Sequence, residues 1–157
     1  MVQMPAENRD GADSSPGGGS SALEDEQDVI DRMPLLKFLG LRVVPSPSPD
    51  VHSVTMDLGA NAGNVRGVVH GGAVATLIDH CAGNSANVLL GRGGPTVDMH
   101  IRYLTTPRDS KQLRADARIV RAGRTLVIIE CDVHDEGGRL VATGSVAVAP
   151  SPPPGLG

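Results

Sequence analysis

The residue types best suited to chemistry lie in one short segment, Asn64-Val65-Arg66-Gly67-Val68-Val69-His70-Gly71-Gly72, and in Asp79 of the apolar run that follows it. We expect Gly71 and Gly72 to lie where a loop becomes a helix. The first N–H groups of a helix have no acceptor within it, so they can receive developing negative charge. We expect Asp79, two turns further on, to be buried near the same space. An oxyanion donor and a carboxylate are a minimal set for acyl transfer.

Each of these residues also has a structural explanation. A carboxylate in an apolar helix must be paired, hydrogen-bonded or functional, so Asp79 could instead pair with an arginine or cap a loop. Gly71 could be needed only for the turn, and His70 could be a structural hydrogen-bonding residue. Asn64 could close an Asx turn within Asn-Ala-Gly-Asn. Spacing alone leaves these alternatives open.

The wider sequence resembles a known family. The segments NVRGVVHGGAVATLIDH, PTVDMHIRYLTTP and VRAGRTLVIIECDVHDEGGRLVATGSV look like the hotdog-fold acyl-CoA thioesterases of the PaaI type, in the 4-hydroxybenzoyl-CoA thioesterase superfamily. The resemblance covers roughly residues 35–149. It implies an α+β hotdog fold, in which a curved antiparallel sheet wraps one long central helix. It also implies hydrolysis of an acyl-CoA thioester to the free acid and CoA.

The resemblance implies a role for each residue of the first segment. Asp79 matches the catalytic acid, which attacks the thioester or activates water. The N–H of Gly71 matches the oxyanion hole, with help from the positive end of the helix. Asn64 matches the residue that orients the nucleophile or the water, and His70 could hold or polarise the thioester.

Four further positions are carried over on weaker grounds. Thr96 begins the strand after the helix, where many relatives bind the lytic water through a Ser or Thr, although a hydroxyl there also suits a strand. Gly72 is assigned to substrate binding beside Gly71. Arg121 and Arg124 flank a hairpin turn where relatives place basic groups near the nucleotide of CoA, but exposed turn arginines are also common.

Two other functions are alternatives to hydrolysis. A hotdog module that binds acyl-CoA without turning it over usually accompanies a DNA-binding helix pair, and a 22-residue leader cannot supply one. A hotdog enoyl-thioester hydratase or dehydratase needs a histidine and an acid placed for proton transfer at carbon. The Pro-rich and Asp-x-x-x-x-His motifs of that class are absent.

The amino-acid composition also argues against other classes of function. Phe38 and Tyr103 are the only aromatic residues, so base stacking is ruled out and we expect no nucleic-acid partner. The net charge is −7 over residues 1–31 and +3 over residues 32–157, and the basic part suits the phosphates of CoA or is a solvated surface. The histidines and cysteines have no ligand spacing, so we expect neither a metal nor another cofactor.

The cysteines and the hydropathy pattern bear on location. Cys81 and Cys131 fall in apolar runs, which favours free buried thiols. No stretch approaches the roughly 20 apolar residues of a membrane span, and no secretory signal is recognised. We therefore expect a cytoplasmic protein that does not enter a membrane.

The chain divides into four parts by composition. Residues 1–22, rich in Gly, Pro and Ser, are predicted to be a disordered leader. Residues 23–34 are predicted to be a short acidic helix, centred on residues 25–33, or a linker. Residues 35–149 form the hotdog domain, and residues 150–157 are a Pro-rich tail.

Within the domain we predict an apolar helix over 35–39, a first strand near 41–44 and a long helix from about Gly72 to Leu90, apolar nearly all round. Period-two segments around 97–103, 113–119, 127–133 and 140–146 predict four consecutive strands of an antiparallel meander, with turns at 122–123 and 136–138.

We also predict a homo-oligomer, either a dimer or a dimer of dimers. The long helix carries a stripe of small residues, and the meander has an open edge, so both call for cover. The resemblance adds that two sheets join edge to edge. The helix acid of one chain then faces the His-Gly-Gly turn of the other.

Overall fold

The computed structural model describes residues 18–107 and 109–151 of the chain. One six-stranded antiparallel sheet packs against one long helix, which is the α+β hotdog arrangement expected from the sequence. The elements in order are α1 (Gly18–Arg32), α2 (Pro34–Phe38), β1 (Leu41–Val43), β2 (Val51–Asp57), a 3-10 turn (Ala60–Ala62), α3 (Gly71–Leu90), β3 (Thr96–Tyr103), β4 (Gln112–Ala122), β5 (Val127–Asp135) and β6 (Leu140–Val148).

The central helix α3 confirms the predicted bounds to within one residue. His70 caps its N-terminus through its side chain, and Gly91 ends it with a left-handed φ of 63°. The face towards the sheet is buried and built from small and aliphatic side chains: Ala73, Val74, Leu77, Ile78, Cys81, Ala82, Ser85 and Ala86. A Cβ at Gly144 would lie 2.6 Å from Ile78 Cγ2, so glycine there allows α3 to approach β6 closely.

The strand order is β1-β2-β4-β5-β6-β3, so the prediction of a four-strand meander is wrong for one strand. β4, β5 and β6 follow one another as predicted, but β3 pairs with β6 and not with β4. The connection over 104–111 contains Pro107 and can extend to about 26 Å, more than the roughly 14 Å across three strand spacings. The chain thus passes β6 and β5 before it enters the sheet again as β4, and β3 lies at the edge.

Strand β2 was not predicted. Its helix-facing positions are His52, Val54 and Met56, which pair with the buried Ala117, Ala115 and Leu113. Histidine at one of these positions interrupts the apolar alternation by which a strand is recognised. β2 nevertheless lies between β1 and β4, with its five middle residues buried.

The N-terminal helix is longer than expected. The acidic helix predicted over 25–33 is present, but α1 begins at Gly18, so its first five residues fall within the segment that we expected to be disordered. Residues 1–17 and the tail beyond Ser151 lie outside the described residues. Among the described helices, none is long and apolar enough to cross a membrane.

The core is aliphatic, as the scarcity of aromatic residues predicts. Cys81 and Cys131 are free, fully buried thiols within it, which confirms their structural role. Burial raises the pKa of the Cys81 thiol well above its ordinary value. Phe38 is half exposed on α2 and Tyr103 lies on the edge strand, so neither aromatic ring belongs to the core.

Candidate functional site

The turn into α3 leaves one backbone donor without an acceptor. The N–H of Gly72 donates to Nδ1 of His70 (2.8 Å), and the N–H groups of Ala73 and Val74 donate to the His70 carbonyl. The N–H of Gly71 has no acceptor among the described residues. Because Nδ1 of His70 accepts a hydrogen bond, the neutral ring carries its proton on Nε2. The turn thus presents one free N–H at the positive end of a 20-residue helix.

The two glycines of this turn have different reasons to be glycine. A Cβ at Gly72 would lie 2.9 Å from His70 Nδ1, so a side chain there would displace the cap. A Cβ at Gly71 would meet only the Tyr103 ring, at an ordinary contact distance of 3.4 Å. Neither glycine has a positive φ. Within one chain, the turn therefore does not require glycine at position 71.

Asn64 adopts its structural alternative. Its Oδ1 accepts the Arg66 N–H (2.8 Å), which is an Asx turn, and its own N–H donates to the Val68 carbonyl (2.8 Å). The side-chain Nδ2 has no acceptor within the described part of the chain. Asn64 lines a cavity of about 800 Å³ beside the loop, and Asp79 does not line that cavity.

Asp79 is exposed, so the expectation that it is buried is wrong. The sheet covers one face of α3, and Asp79 lies on the other face, which is open in a single chain. It lines a groove of about 460 Å³. We call this space the reaction groove, and its lining includes Val29, Met33, Leu35, Asp79, His80 and Thr96. Only Ala86 is buried among the residues of the predicted stripe on α3, which are Gly72, Ala75, Thr76, Asp79, Gly83 and Ala86.

Thr96 lies in the same groove as Asp79. A Cβ at Gly83, one turn beyond Asp79, would lie 3.2 Å from Thr96 Oγ1. The absence of a side chain at Gly83 therefore lets the first residue of β3 approach α3. The structure brings together the acid and the hydroxyl that the sequence suggested.

Gly71 and Asp79 do not share one space within a chain, contrary to expectation. Eight residues of α-helix advance about 12 Å and turn through about 80°. A carbonyl carbon held about 3 Å from an oxyanion donor cannot also be within reach of a carboxylate at that separation. A single chain therefore presents two candidate half-sites, one at Gly71 and the other at Asp79 and Thr96.

Tyr103 is a residue of this region that the sequence analysis did not single out. Its hydroxyl donates to the Gly71 carbonyl (2.9 Å), which joins the last residue of β3 to the first residue of α3. The other end of β3 carries Thr96, next to Gly83. The two half-sites therefore lie at opposite ends of the edge strand. The sequence signal was available, because Tyr103 is the only tyrosine and ends a period-two segment.

Arg121 and Arg124 lie near the opposite end of α3. Both are exposed at the β4–β5 hairpin, and Nη2 of Arg92 donates to the Arg124 carbonyl (3.0 Å) just after α3 ends. A 20-residue helix is about 30 Å long, so this hairpin and the His70-Gly71 turn are far apart in one chain. The structure does not bring these arginines to Gly71.

A buried polar cluster beneath α1 was also missed. Oε1 of Glu26 accepts a hydrogen bond from Nδ2 of Asn84 and lies 3.0 Å from Nε2 of His52. That distance suits an ion pair when His52 is protonated, although the ring N–H is not aligned for a hydrogen bond. Nε2 of His80 is buried without a hydrogen-bond partner in the described residues. Burial lowers the pKa of His80, opposed in part by the Glu26 carboxylate.

Comparison with known proteins identifies the family. Residues 66–142 match the model of the thioesterase superfamily. A Halobacterium salinarum protein that bears an esterase name is 33% identical over 113 residues, covering 68% of this chain and 74% of that protein. Human acyl-coenzyme A thioesterase 13 is 29% identical over 111 residues, covering 69% of this chain and 79% of that protein.

Comparison with solved structures gives the same fold. A Haemophilus influenzae thioesterase superposes with a TM-score of 0.77 at 20% identity, covering 83% of this chain and 90% of that one, and supports the fold. A Bacillus halodurans protein solved with CoA superposes with a TM-score of 0.60 at 31% identity, covering 63% of this chain and 66% of that one. The family model and these relatives show that the chain belongs to the thioesterase superfamily and is a thioester hydrolase.

Proposed function

We propose that the protein hydrolyses acyl-CoA thioesters at a site built from two copies of the chain. The observation that carries this proposal is the placement of the half-sites at the two ends of β3. Gly71 is bonded to Tyr103 at one end, and Asp79 lies with Thr96 at the other. Neither half alone contains both an oxyanion donor and an acid.

Antiparallel pairing of β3 with its copy completes both halves. A two-fold axis through such a pair places the Thr96 end of one strand opposite the Tyr103 end of the other. Asp79 and Thr96 of one chain then approach the free N–H of Gly71 from the other, and the pairing creates two equivalent sites. The exposed apolar side chains of β3 and its end, Val97, Tyr103 and Leu104, are 52–55% exposed in one chain and suit burial in this interface.

In the proposed reaction, the thioester carbonyl oxygen accepts a hydrogen bond from the Gly71 N–H. The negative charge that develops on this oxygen is stabilised there and by the start of α3. Asp79 removes a proton from a water held by Thr96 as that water attacks the carbonyl carbon, or Asp79 itself attacks the carbonyl carbon and forms an acyl-aspartyl anhydride that water then hydrolyses. The CoA thiolate leaves and takes up a proton, so the products are the free acid and CoA.

The neighbouring residues have supporting roles in this proposal. His70 keeps the turn in shape through its bond to Gly72 and directs Nε2–H outward, where it can hold the substrate. Asn64 can use its unpaired Nδ2 to orient the nucleophile or the water. Arg121 and Arg124 offer positive charge for the phosphates of CoA. A relative solved with CoA and another named as an acyl-CoA thioesterase support this choice of substrate.

The assembly and location are proposed on the same basis. One edge pairing yields a dimer, and the open faces that remain allow a dimer of dimers. The two free buried thiols suit a reducing compartment, which supports a cytoplasmic protein.

Mixing two inactive variants tests the shared site. Asp79→Asn and Gly71→Val remove different halves, so a mixed dimer keeps one intact site. Random exchange makes half of all dimers mixed, and activity should recover to about one quarter of wild type. Release of CoA is measured with a chromogenic thiol trap, and mixed dimers are verified by mass. Mixed dimers without recovered activity would place both halves in one chain.

A further inference from the structure

The reaction groove has a neighbour on the far side of α1. A second cavity, of about 450 Å³, lies between α1, β2 and α3 and is lined by Leu23, Glu26, Val51, His52 and Val88, among others. We call it the rear compartment. It shares three lining residues with the reaction groove: Val29, Asn84 and Asn87. Val29 of α1, together with Asn84 and Asn87 of α3, therefore forms the wall between the two spaces.

The position of this wall is fixed from beneath by the buried polar cluster. Glu26 precedes Val29 by one helical turn and bonds Asn84 of α3, and its carboxylate lies beside His52 of β2. The side chains of Glu26 and His52 are only 11% and 3% exposed. None of these residues belongs to the proposed catalytic set. They hold α1 across α3 and so determine where the reaction groove ends.

The two sides of the reaction groove differ in chemistry. The α3 and β3 side carries polar groups, including Asp79, His80 and Thr96. The side formed by α1, α2 and the residue between them offers the side chains of Val29, Met33 and Leu35, which are about half exposed and carry no strong hydrogen-bonding group. A ligand that fits must combine a polar reacting end with an apolar body. Its apolar body lies along α1 and α2.

We propose that the reaction groove holds an aliphatic acyl group and that Val29 sets its maximum length. This inference rests on the proposed function. With the carbonyl at Asp79, the alkyl chain runs along Met33 and Leu35 and ends at Val29, and longer chains are rejected unless the wall recedes. An acyl group with a hydroxyl or carboxylate at its far end loses affinity, because that group would be desolvated against Val29 without a partner.

The test is a series of straight-chain acyl-CoAs, compared by kcat/KM. Val29→Ala should shift the preferred length upward, and Val29→Phe should shift it downward. Each should change the ratio of long-chain to short-chain kcat/KM roughly tenfold, the effect of one methylene in an apolar pocket. Val120, also exposed but on β4 and outside both cavities, is the matched control. Val120→Ala and Val120→Phe should leave the series unchanged.

Several outcomes separate this inference from the proposed function. No turnover of any acyl-CoA by the wild type would contradict the proposed function itself. Turnover with a length profile that Val29 substitutions leave unchanged would overturn the inference alone. If Val29→Phe fails to fold, Val29→Ala carries the test, because truncating a half-exposed side chain causes no overpacking.

Two further comparisons sharpen the test. An acyl-CoA with a terminal carboxylate or hydroxyl should show kcat/KM at least about tenfold below that of the alkyl compound of equal length, and equal values would overturn the apolar assignment. Deletion of residues 1–17 should leave the length profile unchanged. A profile altered by that deletion, and not by Val29 substitution, would assign the groove to the leader and overturn the inference.

Discussion

The two edge strands of the sheet differ in whether another part of the chain covers their free backbone groups. At the β1 edge, the Gln27 side chain of α1 accepts the Val43 N–H (2.9 Å) and donates to the Leu41 carbonyl (3.4 Å). The amide thereby replaces a neighbouring strand. At the β3 edge no element of the described chain takes this position, and apolar side chains are exposed there. An open apolar edge invites pairing with another strand.

The candidate catalytic residues are also distributed unequally between the two edges. The covered edge carries none of the candidate catalytic residues. The open edge has Gly71 at one end and Asp79 with Thr96 at the other. Protection of the β1 edge leaves the β3 edge for pairing, and the proposed dimer forms at this strand, whose ends carry the two candidate half-sites.

The largest effect should come from the half-site at the Thr96 end of the open edge. Asp79→Asn keeps the shape of the side chain and removes its charge, so kcat should fall by about 10² to 10⁴. Because Asp79 is exposed, the fold and the dimer should be unchanged. Steady-state kinetics, thermal melting and mass determination check this. A variant that keeps more than about a third of the activity would remove Asp79 from the mechanism.

Negative charges introduced at the β3 edge should dissociate the proposed dimer. Val97→Glu together with Leu104→Glu brings like charges to a surface that must be desolvated on pairing. We expect a monomer with kcat/KM reduced at least about tenfold, measured by light scattering and by assay at the same concentration. The control is the equivalent change on another exposed surface, Val120→Glu. A fully active monomer would contradict the shared site.

The covered edge should give a smaller effect of a different kind. Gln27→Ala leaves the Leu41 carbonyl and the Val43 N–H without their side-chain partner. We expect the free energy of unfolding to fall by about 1 to 2 kcal/mol, with kcat unchanged. Denaturant titration and kinetics measure the two quantities. A loss of kcat comparable with that of Asp79→Asn would show that the edges are not divided in this way.

The smallest effect concerns the pH dependence of stability that arises from His80 of α3, whose pKa also depends on the Glu26 carboxylate of α1. Burial lowers the pKa of His80 below 6.5 in the folded protein, so the unfolded chain binds more protons in that window. The free energy of unfolding should therefore decrease as the pH falls through 6.5 towards the folded pKa, and His80→Gln should flatten this slope. Glu26→Gln removes a charge that raises this pKa, so NMR titration should place His80 lower still.

The sequence by itself determined the local elements and the family. The glycines at positions 71 and 72 and the apolar run that ends at Leu90 indicated α3, and the turn residues at 122–123 and 136–138 indicated the turns after β4 and β5, because these signals depend on neighbouring residues only. The motif from Asn64 to Asp79 indicated the family and its reaction. These signals act within a few residues of chain and can be recognised without knowledge of the tertiary contacts.

Only the tertiary structure decided where these parts meet. The position of β3 beside β6 depends on a crossover that no local pattern encodes. β2 is a strand because its neighbours β1 and β4 pair with it, despite a histidine on its buried face. Asp79 is exposed because the sheet covers only one side of α3. Helix geometry then places it about 12 Å from Gly71 along α3, so the two candidate residues are separated within a single chain.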